Sequence, residues 1–259
     1  MNNDKSLGQH WLKDRLILEA IADCADLKAD STVLEIGPGL GTLTSVLLDR
    51  AEQVVAVEFD RELARKLPGQ FPGKHLTVYS EDILSFDFRK LPENYTVVAN
   101  VPYYITSKIV HVLANCINPP QQTVMLVQKE VAERLAAEPG DMSILAVSAQ
   151  IYYEISLGPI IGAEWFTPPP KVDSQVVIMD RRPEPLVAKS AQKAFFRVVK
   201  AGFSERRKKL RSSLSGGLGI DKTTIDTLLG RAELSPEARA QELSIEDWIR
   251  LSSVFESVA

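Results

Sequence analysis

The chain is 259 residues long, 45% hydrophobic and 25% charged, with a formal net charge of −4. A chain of this size can bury a substantial core and is expected to divide once. No apolar run approaches the length needed to cross a bilayer, and Met1-Asn2-Asn3-Asp4-Lys5 has neither a signal-peptide nor a transit-peptide pattern, so a cytoplasmic protein is expected.

Periodicity and turn residues give the elements in chain order. A helix over Asp14–Leu27 precedes a buried strand at Val33–Ile36. Gly37-Pro38-Gly39-Leu40-Gly41 follows directly and opens a helix over Thr42–Asp49. A second apolar run, Val54–Val57, ends in Glu58 and is followed by a helix at Arg61–Lys66. A third, Leu76–Tyr79, leads to Glu81-Asp82. A fourth, Tyr95–Ala99, leads to Asn100-Val101-Pro102-Tyr103, with a helix at Ser107–Cys116 beyond it. The alternation continues to Val127, and a helix is expected over Ser143–Tyr152. Tyr153–Leu157 and Gln175–Arg181 read as closing strands forming an antiparallel edge pair, with Gly158–Lys171 a loop rich in glycine and proline. Alternation of this kind implies an α/β fold with a mostly parallel sheet covered on both faces. Arg182-Pro183-Glu184-Pro185 reads as a linker, so domains of 1–183 and 184–259 are expected. The second is all helical: Ala188–Ala201, Ser204–Leu214, Asp221–Leu228 and Ile245–Phe255, with a helix start at Ser235-Pro236-Glu237. Cys24 and Cys116 read as small core residues, and His10, His75 and His111 lack metal-ligand spacing, so no metal is expected.

The chemistry concentrates at the strand ends. Closely spaced glycines let the backbone turn sharply and approach a ligand. Dinucleotide folds use G-x-G-x-x-G, but here position 42 is Thr and the third glycine comes one residue early, a spacing that suits S-adenosylmethionine, which has no pyrophosphate. Glu58, twenty-one positions after Gly37, suits hydrogen bonding to ribose hydroxyls, and the Glu81-Asp82 pair could accept from an adenine amino group. The Asn100 amide oxygen and the Val101 carbonyl can both accept from one exocyclic NH2. Pro102 aims that carbonyl by restricting the residue before it, and Tyr103 offers a stacking face.

Charge is uneven. Residues 185–259 carry thirteen Lys or Arg against nine Asp or Glu, and the excess lies between Lys189 and Arg211, where it suits RNA phosphates.

With these motifs in place, Lys5-Ser6-Leu7-Gly8-Gln9-His10-Trp11-Leu12 resembles the K-x-x-G-Q-[N/H]-F-L motif of KsgA-type ribosomal RNA adenine dimethyltransferases. The glycine loop, Glu58-Phe59-Asp60, Glu81-Asp82, Asn100–Tyr104, Gln128–Arg134, Phe166–Ser174 and Arg206–Arg211 follow in that family's order. The resemblance implies a Rossmann-like class I methyltransferase with a seven-stranded sheet and a small all-α C-terminal domain. It implies S-adenosylmethionine contacts from Gln9, His10, Leu12, Gly37, Gly39, Gly41, Glu58, Phe59, Asp82, Ile83 and Asn100. It implies a catalytic set of Asn100, Val101, Pro102, Tyr103 and Phe166, with Tyr103 and Phe166 sandwiching the target adenine, and an RNA grip from Arg206, Arg207, Lys208, Lys209 and Arg211. The expected reaction is dimethylation of two adjacent adenines in small-subunit ribosomal RNA by a monomer during ribosome biogenesis. The alternatives are a large-subunit enzyme of the antibiotic-resistance kind and a mainly non-catalytic ribosome-assembly factor. Trp11 stands where the family usually has Phe, Val101 and Tyr104 replace the commoner Leu and Asn, and Glu138–Ser143 is a shorter loop. Tyr104 is read as packing.

Overall fold

A computed structural model of the chain describes residues 10–205 and 207–256. Gln9, with the rest of its motif before His10, and Arg206 lie outside the described residues. Contacts divide the chain into two compact units, one holding the residues to Glu133 with Glu154–Arg181, the other Arg134–Tyr153 with the residues from Arg182.

The elements of the first unit are β1 (Trp11–Leu12), α1 (Arg15–Asp23), β2 (Thr32–Ile36), α2 (Thr42–Leu47), β3 (Gln53–Val57), α3 (Arg61–Lys66), β4 (Leu76–Tyr79), β5 (Thr96–Asn100), α4 (Thr106–Asn115) and β6 (Gln122–Gln128). α5 (Lys129–Leu135) leads out of it and α6 (Ile144–Gln150) lies in the second unit, before β7 (Tyr153–Ile161), β8 (Phe166–Thr167) and β9 (Ser174–Arg181). Seven strands form one sheet in the order β4-β3-β2-β5-β6-β9-β7. Pairing is parallel from β4 to β6, and β9 runs antiparallel to β6. Val33, Leu34, Val54, Ala56, Val97, Val98, Val124 and Leu126 are completely buried, as expected for parallel strands covered on both faces. Each of these Val and Leu side chains contributes roughly 1.5–3 kcal/mol on burial.

The strand order reverses between β2 and β5, and right-handed crossovers then place helices on opposite faces. The crevice at such a switch point, outside the carboxyl ends of the strands, is where open α/β sheets bind ligands. The register pairs Ile36 with Ala99 there, so Gly37 and Asn100 leave adjacent strands side by side.

The fold departs from the sequence expectation in several places. β7 runs on to Ile161 through a stretch expected to be loop; it lies at the sheet edge, the position in a sheet where a proline such as Pro159 is tolerated. The same stretch contributes β8, which pairs antiparallel with β1. A further departure is the grouping of Arg134–Tyr153 with the C-terminal helices, where the linker pattern at 182–185 suggested a single cut. The Gln241 carbonyl accepts from the Gly140 and Met142 N–H groups at 2.8 and 3.1 Å, and the Tyr152 hydroxyl donates to Gln192 Oε1 at 2.7 Å.

The second unit contains α7 (Gln192–Gly202), α8 (Leu210–Leu218), α9 (Lys222–Arg231) and α10 (Ile245–Glu256). The helix expected from Ser204 starts instead at Leu210, because Lys209 is extended and the Leu210 N–H is donated to the Ala238 carbonyl at 2.7 Å. Ser235-Pro236-Glu237 makes one turn and does not propagate, since the chain straightens at Ala238 to provide that carbonyl. Phe195, Leu210, Leu214, Trp248 and Leu251 form the buried centre, with the Phe203 and Trp248 rings 5.4 Å apart.

Gly202 lies directly against Trp248, and a Cβ there would run into the indole. Gly202→Ala is therefore expected to cost about 1–3 kcal/mol through overpacking. Gly230→Ala, on α9 with open space at the Cβ position, should be neutral or stabilising by roughly 0.5–1 kcal/mol. Thermal melts of the two variants check the contrast, and equal midpoints would contradict it.

Candidate active site

A cavity of about 250 Å³ opens at the carboxyl ends of β2, β3, β4 and β5. His10, Leu12, Gly37, Gly39, Glu58, Phe59, Asp82, Ile83, Asn100, Val101, Pro102 and Tyr103 all line it. Residues spread over more than ninety positions thus converge on one wall. Two expected site residues do not line it. Gly41 (φ +80°) starts α2, and a Cβ there would lie 2.7 Å from Leu67, so this glycine serves helix packing. Phe166 is 3% exposed in the apolar core, opposite Leu12 in the β1–β8 pair, which leaves no open ring face for an adenine in this structure.

The glycine loop is shaped from two sides. Glu58 Oε2 accepts the Gly39 N–H at 3.0 Å while its Oε1 accepts the Asp60 N–H at 2.8 Å, and the Gly37 N–H is donated to the Val57 carbonyl at 2.9 Å. One carboxylate therefore ties the loop to the end of β3. On the other side the Trp11 indole covers Gly39 so closely that any Cβ would collide with it. Gly39 has φ +56°, a second reason that only glycine suits this position. Thr42 Oγ1 donates to the Leu12 carbonyl at 2.9 Å and holds the β1 segment over the loop. Phe59 is 64% exposed, leaving a ring face on the cavity wall. Asp82 caps the 3₁₀ turn Ile83–Ser85, with Oδ1 accepting the Leu84 N–H at 2.9 Å.

Asn100 ends β5, and among the described residues its side-chain amide has no hydrogen-bonding partner. Pro102 (φ −59°, ψ 131°) turns the chain into the 3₁₀ turn Tyr103–Ile105. The Tyr103 hydroxyl shares a 2.7 Å hydrogen bond with Ser174 Oγ, a completely buried group at the start of β9. Burial pushes the Tyr103 hydroxyl's pKa up, with the Ser174 bond opposing. His10 stacks on the Tyr103 ring, centroids 5.9 Å apart and planes within 21°, and its Nδ1–H donates to the Pro168 carbonyl at 2.7 Å. The Phe166–Ser174 segment therefore reaches the site through Pro168 and Ser174.

Sequence reasoning passed over three wall residues. Tyr104, read as packing, is 63% exposed on the cavity wall. Trp11, a departure from the family pattern, lines the cavity and covers Gly39. Glu35 carries the clearest signal, a lone carboxylate in an apolar strand two residues before the glycine loop's first glycine. It is 1% exposed, it lines the cavity, and its Oε2 makes no hydrogen bond. Burial pushes its pKa up to about 8; the nearby Glu58 charge adds to this and Thr44 opposes it. Burial raises Glu58 as well, with the N–H groups of Asp60, Gly39 and Phe59 opposing.

The expected RNA grip lies in the helical unit. There Lys208 pairs with Glu205 at 2.8 Å, Lys209 pairs with Glu237, and Arg211 pairs with Asp226 at 2.6 Å, while Arg207 is exposed. No group of three His, Cys, Asp or Glu able to hold a metal occurs among the described residues, and no described helix is long and apolar enough to cross a membrane.

The Glu35 carboxyl holds its proton in the folded state to a higher pH than it can when unfolded. Its contribution is therefore most favourable below the unfolded value near 4.5 and is lost as pH rises towards about 8. Glu35→Gln should match the parent near pH 5 and exceed its thermal midpoint at pH 8–9 by the equivalent of a few kcal/mol. Melting curves of both proteins across that range check this, and parallel profiles would refute it.

The chain matches the family model described as "Ribosomal RNA adenine dimethylase" over residues 1–257. It is 40% identical over 255 residues to ribosomal RNA small subunit methyltransferase A of Dehalococcoides mccartyi, covering 97% of this chain and 88% of that protein. It is also 40% identical over 255 residues to the protein of the same name from Clostridium botulinum, covering 96% and 92%. Among solved structures, a dimethyladenosine transferase from Plasmodium falciparum superposes with TM-score 0.82 at 25% identity, covering 96% of this chain and 98% of that one. The 23S ribosomal RNA methyltransferase ErmE superposes with TM-score 0.77 at 30% identity, covering 95% and 99%. A family match across almost the whole length, on a sheet whose cavity gathers the motif residues, identifies the chain as a member of the ribosomal RNA adenine dimethylase family.

Proposed function

We propose that the protein transfers methyl groups from S-adenosylmethionine to the N6 amines of two adjacent adenines in small-subunit ribosomal RNA, dimethylating each during ribosome biogenesis, and that it acts as a cytoplasmic monomer on the subunit or its precursor. The observation that carries this is the partnerless Asn100 amide, next to the Val101–Tyr103 turn and beside the glycine loop on one cavity wall.

The wall residues fit the methyl donor. Gly37 (φ +68°) has nothing within 4 Å of where a Cβ would stand, leaving room for a ligand against the backbone. Each Glu58 oxygen spends one lone pair on a backbone N–H and keeps another for a ribose hydroxyl. Phe59 offers its exposed face, and Asp82 Oδ2 is available to an adenine amine. When bound, S-adenosylmethionine supplies an electrophilic methyl group.

The work of the chain is on the acceptor. The adenine N6 lone pair is delocalised into the ring and is a poor nucleophile. Asn100 Oδ1 and the Val101 carbonyl accept its two N–H groups and favour a pyramidal nitrogen with the lone pair free. Tyr103 stacks the base, held in orientation by Ser174 beneath and His10 alongside. Alignment of this kind can supply ~7–11 kcal/mol of the barrier in well-oriented systems. After methylation N6 is cationic and strongly acidic, so water can remove its proton and no side-chain base is needed. Extruding the base costs about a few kcal/mol, and stacking on Tyr103 recovers roughly 1–3 kcal/mol.

The large-subunit reading has the ErmE resemblance in its favour, but identity is higher to the small-subunit relatives, 40% against 30%. Incubating the protein with undermethylated subunits of each kind and labelled donor, then mapping the label, tests the choice. Label confined to the large subunit would overturn the reading.

Asn100→Ala should lower kcat by roughly 10²-fold or more, with S-adenosylmethionine affinity changed by no more than a few fold. Near-normal turnover would refute the clamp. Glu58→Ala removes two charge-assisted bonds to the backbone together with the ribose acceptor, so donor affinity should fall about 10–100-fold by titration calorimetry. Unchanged affinity would rule out that role.

A further inference from the structure

Within the helical unit, α7, α9 and the end of α10 enclose a cavity of about 420 Å³. Its walls are apolar, with Val198, Leu218, Ile220 and Leu228 below and the half-buried Phe255 ring at one side. Lys193 and Arg197 stand one turn apart on α7 at its rim, both exposed, and neither forms an ion pair with another described residue. The hydroxyl residues Ser190 and Thr224 complete the rim, with Glu256 the one acid beside them. The contrast with Lys208, Lys209 and Arg211, each already paired with a carboxylate, is direct. Lys193 and Arg197, by contrast, keep their charge unpaired among the described residues and stand beside the apolar cavity.

An occupant must therefore combine a flat or compact apolar body with adjacent negative charge, which describes an unstacked nucleotide. Single-stranded RNA is recognised chiefly through bases splayed out of the stack, with phosphates neutralised by nearby Lys and Arg. We infer that the α7–α9–α10 cavity seats one extruded base of the ribosomal RNA against Phe255, with its flanking phosphates on Lys193 and Arg197. The inference rests on the reading of the protein as a ribosomal RNA methyltransferase and adds a second nucleotide subsite to it. A base stacked on one aromatic ring gains roughly 1–3 kcal/mol, and each phosphate contact adds a salt-dependent increment.

The test uses the full chain and a single-stranded RNA decamer containing 5-iodouridine, followed by mass-spectrometric mapping of the photo-crosslink. Crosslinks on the α7–α10 wall are expected. The double variant Lys193→Gln, Arg197→Gln should bind the decamer about tenfold more weakly and lower the salt slope of binding by about 1–2. Phe255→Ala should weaken binding without changing that slope, and the charge-conserving double variant Lys193→Arg, Arg197→Lys should keep affinity and slope near the parent's. With small-subunit particles as substrate, the double variant should raise KM about tenfold. Unchanged decamer affinity and slope, while the parent still methylates ribosomal RNA, would overturn the subsite and leave the proposed function standing. A parent that methylates no ribosomal RNA would instead defeat the function itself. Crosslinking of a ribosomal protein peptide in place of RNA at this wall would overturn the nucleotide assignment. A chain ending at Glu256 that bound the decamer tenfold more tightly would assign the cavity to the protein's own last residues.

Discussion

The parallel pairing of β2 with β5 is the constraint on which the site depends. It holds Ile36 opposite Ala99, so the glycine loop and the Asn100 turn emerge from neighbouring strands at the point where sheet order reverses. A shift of that register by one residue would turn Asn100 to the other face of the sheet and away from the glycine loop. The completely buried valines of the two strands are therefore functional at one remove, since they fix the register that the chemistry needs.

Around that junction the site is assembled by a few directional contacts. Glu58 closes the glycine loop onto β3, Thr42 and Trp11 fasten β1 over the loop, and Ser174 and Pro168 orient Tyr103 and His10 from a segment distant in sequence. Negative charge gathers on the same wall, with Glu58, Asp60 and Asp82 facing the cavity beside the protonated Glu35 carboxyl. A sulfonium-bearing ligand is favoured there, and burial of the two glutamates is the electrostatic cost of that arrangement.

The helical unit divides its positive charge between two uses. Exposed pairs such as Lys208–Glu205 contribute little to stability and can open to phosphates at small cost. Lys193 and Arg197 on α7 are free of such partners beside an apolar hollow, the arrangement from which the second nucleotide subsite is inferred.

The sequence by itself determined the alternating α/β pattern, the strand ends that carry Glu58, Asp82 and Asn100, and the helical tail. Local periodicity and short motifs encode all of these, because each depends on residues a few positions apart. Tertiary structure decided what depends on distant partners. Phe166 is core because β8 pairs with β1, Ser174 matters because it meets Tyr103 seventy-one residues away, and Gly41 serves packing because Leu67 lies against it. The run Arg206–Arg211 reads in sequence as a free basic patch, but the fold places a carboxylate beside Lys208, Lys209 and Arg211. Burial and long-range pairing are properties of the folded chain, and no window of sequence contains them.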